Sequence, residues 1–372
     1  MRGKLGSVAV LSAVALLAAA CGSSSPSSSP SSSTSSSAST AAAFKGCMVT
    51  DTGGINDKSF NQSSWEGMQA AAATDPSKIK VTYLASTTSA DYATNISTFL
   101  QQKCGIIVTV GFLMADATEA AAKANPSQKF AIVDCSYASD CLSGKKVSNI
   151  DQLVFNTVQD GFLGGYLAAG MSKTHTVATY GGENFGTVTI YMDGFYDGVQ
   201  YYNSQHHTSV KVLGWNESKQ KGSFIGNFTD ESAGQSLTNT FISDGADVIF
   251  PVAGGVGLGT AKAVQTADSS GKHITMEWVD TDGCVSAATY CPYMITSVTK
   301  GITEAVKTAV LAAADNTFKG GTYIGTLANG GAVLSPYHDF ASKIPAALQS
   351  ELVTIKSEIE SGKIVPKTKS PV

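Results

Sequence analysis

From Cys47 onward the chain alternates short, nearly continuous apolar runs with longer segments whose apolar residues recur every three or four positions. The runs at 47–49, 80–85, 105–110 and 129–134 predict strands, and the periodic segments at 91–102 and 115–124 predict helices between them. Runs that are apolar throughout, without polar alternation, predict strands buried on both faces of a parallel sheet. A strand at 147–155 leads into 159–173, where Gly161, Gly164, Gly165 and Gly170 predict a helix able to pack closely. The plan then restarts, with strands predicted at 176–180, 210–215 and 246–252 and helices at 192–203, 232–244 and 260–268. A strand at 273–279 is expected to return toward the first half. A strand at 294–298, a helix at 302–314, a glycine-rich hairpin at 323–334 and a helix at 344–361 follow, and a polar tail ends the chain. Repetition of one strand–helix plan predicts an α/β protein with two Rossmann-like lobes.

One stretch organises the rest. After the strand ending at Val49 come Asp51, then Gly53-Gly54, then Asn56-Asp57-Lys58-Ser59-Phe60, then Trp65, Met68 and Ala72 on one helical face. This reads as strand, glycine loop and helix, with Asp57 or Ser59 as the cap. In an open α/β sheet it places backbone N–H groups and the side chains of Asn56, Asp57, Phe60 and Trp65 at the carboxyl edge of a strand, where such folds bind small molecules. The same pattern also suits an ordinary turn that needs glycine. Val110-Gly111-Phe112 and Asp134 fall at the same edge.

The ends change the picture. Arg2 and Lys4 precede an apolar run at 8–20 that is too short for a membrane span and has the layout of a signal peptide (1–20). Leu17-Ala18-Ala19-Ala20-Cys21 is similar to a bacterial lipobox, which makes Cys21 the expected lipidation site; a plain signal peptide leaving Cys21 as a thiol is the alternative. Residues 23–43 are almost entirely Ser, Ala, Thr and Pro and are expected to be a disordered tether. A net charge of −4 with both signs mixed argues against a nucleic-acid partner.

Six further cysteines fit an exported protein. Cys135 with Cys141 and Cys284 with Cys291 bracket short loops, which leaves Cys47 and Cys104 to bridge neighbouring strands. Fifteen connectivities exist for six cysteines, and free thiols or a zinc site are the alternatives, although no Cys-x-x-Cys is present. Gly254-Gly255-Val256-Gly257-Leu258-Gly259 lacks the Lys-Ser or Lys-Thr of a phosphate loop. Asp280-Thr281-Asp282 lacks calcium-loop spacing, so no metal or other cofactor is expected. Without a Gly-x-Ser-x-Gly or a recognisable triad among five scattered histidines, a nucleoside hydrolase or other enzyme is not expected.

Thr50-Asp51-x-Gly53-Gly54-x-Asn56-Asp57-Lys58-Ser59-Phe60-Asn61-Gln62, followed by Trp65-Glu66-Gly67, resembles the opening signature of the basic membrane protein family, which includes the purine nucleoside receptor lipoproteins of ABC importers. The segments 245–255, 279–282 and 296–300 resemble its later motifs, and the resemblance covers about 47–366. It implies the type I periplasmic binding protein fold with a hinge of three crossings. The first lobe is expected to hold 44–155 with 280–325, the second 156–279 with 326–366, and the tail 367–372. It further implies a monomeric, lipid-anchored extracytoplasmic protein that delivers a small ligand, such as a purine nucleoside, to permease subunits. A receptor uncoupled from transport, or one for a sugar or autoinducer-like ligand, is the other reading. By motif position Trp65 or Phe60 and Phe250 would sandwich the base, with core packing the expected fate of Phe60. Ala253 and Gly254 would meet the ligand through backbone groups, and Asn56, Asp57 and Asp134 would read base edges. Asp282 or Asp280 would accept ribose hydroxyls, with Lys300 as donor.

Overall fold

The computed structural model describes residues 43–139, 141–143, 146–370 and 372. The signal peptide, Cys21 and nearly all of the tether lie outside the described residues. Among the described residues no helix is long and apolar enough to cross a membrane.

The first half folds as its pattern predicts. It comprises β1 (Phe44–Val49), α1 (Phe60–Thr74), β2 (Ile79–Leu84), α2 (Asp91–Gln101), β3 (Ile106–Val110), α3 (Ala115–Ala124), β4 (Phe130–Val133) and β5 (Ile150–Phe155). Alternate residues of these strands enter opposite cores: Met48 and Val108 pack on one face, Cys47 and Ile107 on the other. Both faces are therefore covered, as expected of a parallel sheet.

The second half begins with α4 (Val158–Met171), β6 (Thr176–Gly181) and α5 (Gly186–His206). The two helices touch backbone to backbone: a Cβ on Gly165 would lie 1.9 Å from Phe195 O, and one on Gly198 would lie 2.0 Å from Phe162 O. The predicted strand at 210–215 is broken into β7 (Lys211–Leu213) and β8 (Trp215–Asn216), because Gly214 between them has φ 80°. β8 pairs with β9 (Lys221–Gly222) in a small ribbon. Then come α6 (Glu231–Ser243), β10 (Val248–Val252), α7 (Gly257–Ser269), β11 (Thr275–Asp280), the one-turn α8 (Gly283–Ser286) and β12 (Met294–Lys300).

The sheets have the orders β13-β5-β4-β3-β1-β2 and β14-β12-β11-β10-β6-β7, where β13 is Gly321–Gly325 and β14 is Ala332–Leu334. Two expectations are corrected here. β11 does not return toward the first lobe: β11 and β12 pair with each other inside the second sheet, so the boundary expected at 280 falls after Lys300. Residues 323–334 are not a hairpin either. β13 runs parallel to β5 in the first sheet, and β14 runs antiparallel to β12 in the second. The glycine-rich turn was legible, but a turn does not specify that its two flanking strands pair with each other. The chain thus crosses between lobes after β5, between β12 and α9 (Ile302–Ala314), and between β13 and β14. α10 (Ala346–Glu360) packs on α4. The tail is seated on α5, where Thr368 Oγ1 donates to Asp193 Oδ2 at 2.8 Å and Ser370 Oγ meets Thr189 Oγ1 at 2.7 Å.

All three expected disulfides are present: Cys47–Cys104 ties β1 to the entry of β3, and Cys135–Cys141 and Cys284–Cys291 close the two short loops.

Candidate functional site

The glycine loop after β1 is held by two carboxylates. Asp57 accepts the backbone N–H groups of Ser59 at 3.1 Å, Asn61 at 2.8 Å and Gln62 at 3.0 Å, so it caps the first turn of α1. Burial pushes Asp57 up to about 7 against those hydrogen bonds, and burial also raises Asp51. Asp51 Oδ1 accepts Gly53 N–H at 3.1 Å and Asn61 Nδ2 at 2.8 Å. Its other oxygen faces Gly111, where φ is 105° and a Cβ would lie 2.7 Å from Asp51 Oδ2. Only glycine fits there.

Across the cleft, three strand ends converge on a buried charge cluster. Asp134 follows β4, Asp280 ends β11 and Lys300 ends β12. Both aspartates occupy the left-handed region, at φ 60° and 68°, a cost that proteins retain mainly at functional sites. Lys300 Nζ binds Asp134 Oδ2 across the lobes and lies 3.4 Å from Asp280 Oδ1. Burial opposes the lysine's charge, but the two carboxylates outweigh it and hold its pKa above the ordinary value. Burial takes Asp134 up to about 6 despite Lys300 beside it. Asp280 Oδ2 accepts Ser59 Oγ at 2.7 Å, and its Oδ1 accepts the Tyr191 hydroxyl at 3.4 Å. Lys300 also stands 5.2 Å from the Phe60 ring centroid and 5.1 Å from that of Tyr191. The lobes are further joined by Trp278 Nε1 and Ser286 Oγ, which donate to Lys58 O at 3.0 and 2.7 Å.

Between these two clusters lies an interlobe cavity of about 590 Å³ with its open mouth included. Phe60 and Phe112 enter it from the first lobe, and Phe185, Tyr191 and Phe228 from the second. Phe112 and Phe185 stack on each other across the cleft, with centroids 4.7 Å apart and planes 14° apart. Phe60 and Phe228 line the cavity from opposite lobes and stack on no other ring among the described residues.

Of the residues singled out from sequence, Asp57, Phe60, Asp134, Ala253, Gly254, Asp280 and Lys300 line this cavity. Four do not. Asn56 is exposed on the loop. Trp65 packs on the first lobe's core against Tyr83, with centroids 4.9 Å apart, because its place on α1 faces the sheet. Phe250 is fully buried inside the second lobe between Phe195 and Tyr191. Asp282 caps α8 through Cys284 N–H at 3.0 Å and meets His338 Nε2 at 2.7 Å, away from the cavity. The expected order of the two opening aromatics is thus reversed: Phe60 lines the cleft, and Trp65, half-buried, packs on the first lobe's core away from it. Sequence reasoning missed Asp51, Asn61, Phe112, Phe185, Tyr191 and Phe228. A signal existed for Phe228, which stands two residues before Asp230, the side-chain cap of α6, and for Phe185, which opens α5 after Gly181-Gly182 as Phe60 opens α1.

A model of the family described as ABC transporter substrate-binding protein, PnrA-like, matches residues 44–371. The ABC transporter nucleoside-binding protein BmpA of Lactococcus lactis is 28% identical over 342 residues, covering 87% of this chain and 89% of its own. A CD4+ T-cell-stimulating antigen of Listeria monocytogenes is 32% identical over 329 residues, covering 85% of each. The crystal structure of a solute-binding protein from Aeropyrum pernix superposes with a TM-score of 0.77 at 22% identity, covering 87% of this chain and 94% of that one. At that identity the superposition speaks to fold, and it agrees with the periplasmic binding protein architecture.

Proposed function

Because the chain belongs to the PnrA-like family of ABC transporter substrate-binding proteins, we propose that its ligand is a purine nucleoside, held in the cavity between the lobes and delivered to the permease subunits of an importer. The observation that carries this reading is the pairing, in one cavity, of aromatic rings from both lobes with the Asp134–Lys300–Asp280 cluster. A flat base suits Phe60 and Phe228, at roughly 1–3 kcal/mol per stacked face. A vicinal diol suits carboxylates beside a fixed cation, where charge-assisted hydrogen bonds form. The nucleoside-binding relative in Lactococcus lactis supports the same assignment.

A ligand gripped by residues of both lobes favours the closed form through its differential affinity for that form. The permease would read that closure. Lipidation at Cys21 would hold the monomeric protein at the extracytoplasmic face of the membrane, with residues 23–43 as the tether.

Titration calorimetry of the purified protein with guanosine, inosine and adenosine tests the reading, with ribose and free bases as controls. Binding at micromolar affinity or better is expected for at least one nucleoside and not for ribose. A protein that binds a sugar and ignores all three nucleosides would sink the proposal.

A further inference from the structure

Three buried carboxyl groups face one cation where the lobes meet. Asp134 reaches Lys300 from the first lobe, and Asp280 reaches it from the end of β11. The third is Asp160, in the first turn of α4, where the chain has just crossed from β5 into the second lobe. Asp160 is 0% exposed, and neither of its oxygens completes a hydrogen bond among the described residues. The charges that act on it are those of Lys300 and Asp280. From α5 comes the Tyr191 hydroxyl, which burial and the three carboxylates hold well above its ordinary pKa and therefore neutral. One turn further along α4, Glu277 of β11 lies against Gly164, where a Cβ would be 2.8 Å from Glu277 Oε2. Among the described residues that line the cavity, Lys300 is the one basic side chain.

Three ionised carboxylates around one ammonium would leave two negative charges uncompensated in the interior. A buried group in that position keeps a proton instead. Burial holds Asp160 well above the ordinary carboxyl range, against the N–H groups of its own helical turn and the charge of Lys300, and it takes Asp134 up to about 6. The members of the cluster come from different lobes. Asp134 belongs to the first, as does Ser59, whose hydroxyl donates to Asp280 Oδ2, while Asp160, Asp280 and Lys300 belong to the second. Separating the lobes would take Asp134 and Ser59 away from Lys300 and Asp280 and admit water, and each exposed carboxyl would then ionise in its ordinary range.

We infer that this cluster is a proton-binding site coupled to the ligand site: closure of the lobes around a nucleoside takes up a proton, shared by Asp134 and Asp160 beside Lys300. The inference rests on the nucleoside reading above and goes beyond it. The closed form holds these carboxyls at higher pKa than the open form, so it binds more protons, and ligand affinity is greatest in acid and falls as pH rises through the closed-form values. For Asp134 that window runs from the ordinary 3.8 to about 6, and Asp160 extends it upward. Glu277 lies inside the second lobe rather than between the lobes, so its proton stays in place whether they are open or closed.

The test is calorimetry on the full chain with guanosine, inosine and adenosine, which do not themselves ionise near neutral pH, in phosphate and in Bis-Tris, buffers of low and high protonation enthalpy. At about pH 6 the observed enthalpies for whichever nucleoside binds are expected to differ by the equivalent of about half to one proton taken up, and affinity is expected to fall at least about fivefold from about pH 5.5 to about pH 7.5. Asp160→Asn, nearly isosteric and unable to titrate, is expected to lower the uptake by about half or more and to flatten the pH dependence. Glu277→Gln is expected to leave both as in the parent. The buffer comparison on the unmodified protein decides the matter even if Asp160→Asn fails to fold. Equal enthalpies in the two buffers with a pH-independent affinity overturn the inference and leave the nucleoside reading standing, and an uptake that a folded Asp160→Asn protein retains in full overturns it as well. Failure of every nucleoside to bind at any pH overturns both.

Discussion

Two buried acids on one strand differ in everything except burial. Asp280, at the end of β11, is surrounded by Lys300, Ser59 and Tyr191. Glu277, three residues earlier, is fully buried in the second lobe, and neither of its oxygens has a hydrogen-bond partner among the described residues. Burial alone drives Glu277 up to about 8, so it is mostly protonated at neutral pH. The difference teaches that the charge in this protein is placed where the lobes meet, and that an acid left in the interior sheds its charge instead.

The comparison breaks most severely at Lys300. Lys300→Met would strand two buried carboxylates, and a stability loss of about 3–5 kcal/mol in denaturant titrations is expected, with nucleoside affinity reduced more than ~100-fold. Unchanged affinity in that variant would remove the cluster from the site.

Glu277→Gln should do the opposite. The folded-state pKa lies above the ordinary 4.5, so the native protein keeps a proton that the unfolded chain releases, and stability falls as pH rises from about 4.5 to about 8. Glutamine abolishes that dependence. Its advantage over the parent should grow by about 2–4 kcal/mol between pH 5 and pH 8, read from urea unfolding at each pH. A pH-independent difference would mean that Glu277 is solvated or paired.

A smaller effect is expected at the cavity mouth. Phe185→Ala removes the ring that stacks on Phe112 across the cleft, an interaction worth about 0.5–1.5 kcal/mol beyond area burial. Ligand dissociation measured by stopped flow should speed up roughly two- to tenfold. The smallest effect belongs to Asp282→Asn, since its partners are Cys284 and His338 and not the cavity. Affinity within about twofold of the parent is expected, and a larger loss would restore the ribose role that its motif position suggested.

Much of the fold was legible because apolar runs and helical periodicity state burial directly. α3 and α9 fall on the predicted residues, and most other elements within a few. The three disulfides were legible because two short loops left one pair over. Sheet membership was not. β11 and β12 read as strands but say nothing about their neighbours, and the turn at 326–331 gives no sign that it passes from one sheet to the other. The site divided along the same line. Asp134 was visible as a polar residue ending an apolar run, whereas Asp280 and Lys300 were pointed to by the resemblance of 279–282 and 296–300 to the family's motifs. Phe250 was misassigned because Val248–Val252 is buried throughout, so no alternation marks which face each side chain takes. Trp65 was misassigned because one helix carries both cleft and core positions, and its first turn, not its second, reaches the ligand space.

The passage from β13 to β14 has a practical corollary. Six residues separate strands that complete two different sheets, so each half of the molecule is assembled from non-adjacent stretches of chain. No single cut in the gene separates the two halves, because the first sheet needs β13 (Gly321–Gly325), which follows most of the second. Domain dissection would have to proceed by circular permutation or by splicing, and a nascent chain cannot finish the first wall of the cleft before Gly325 or the second before Leu334 has been made.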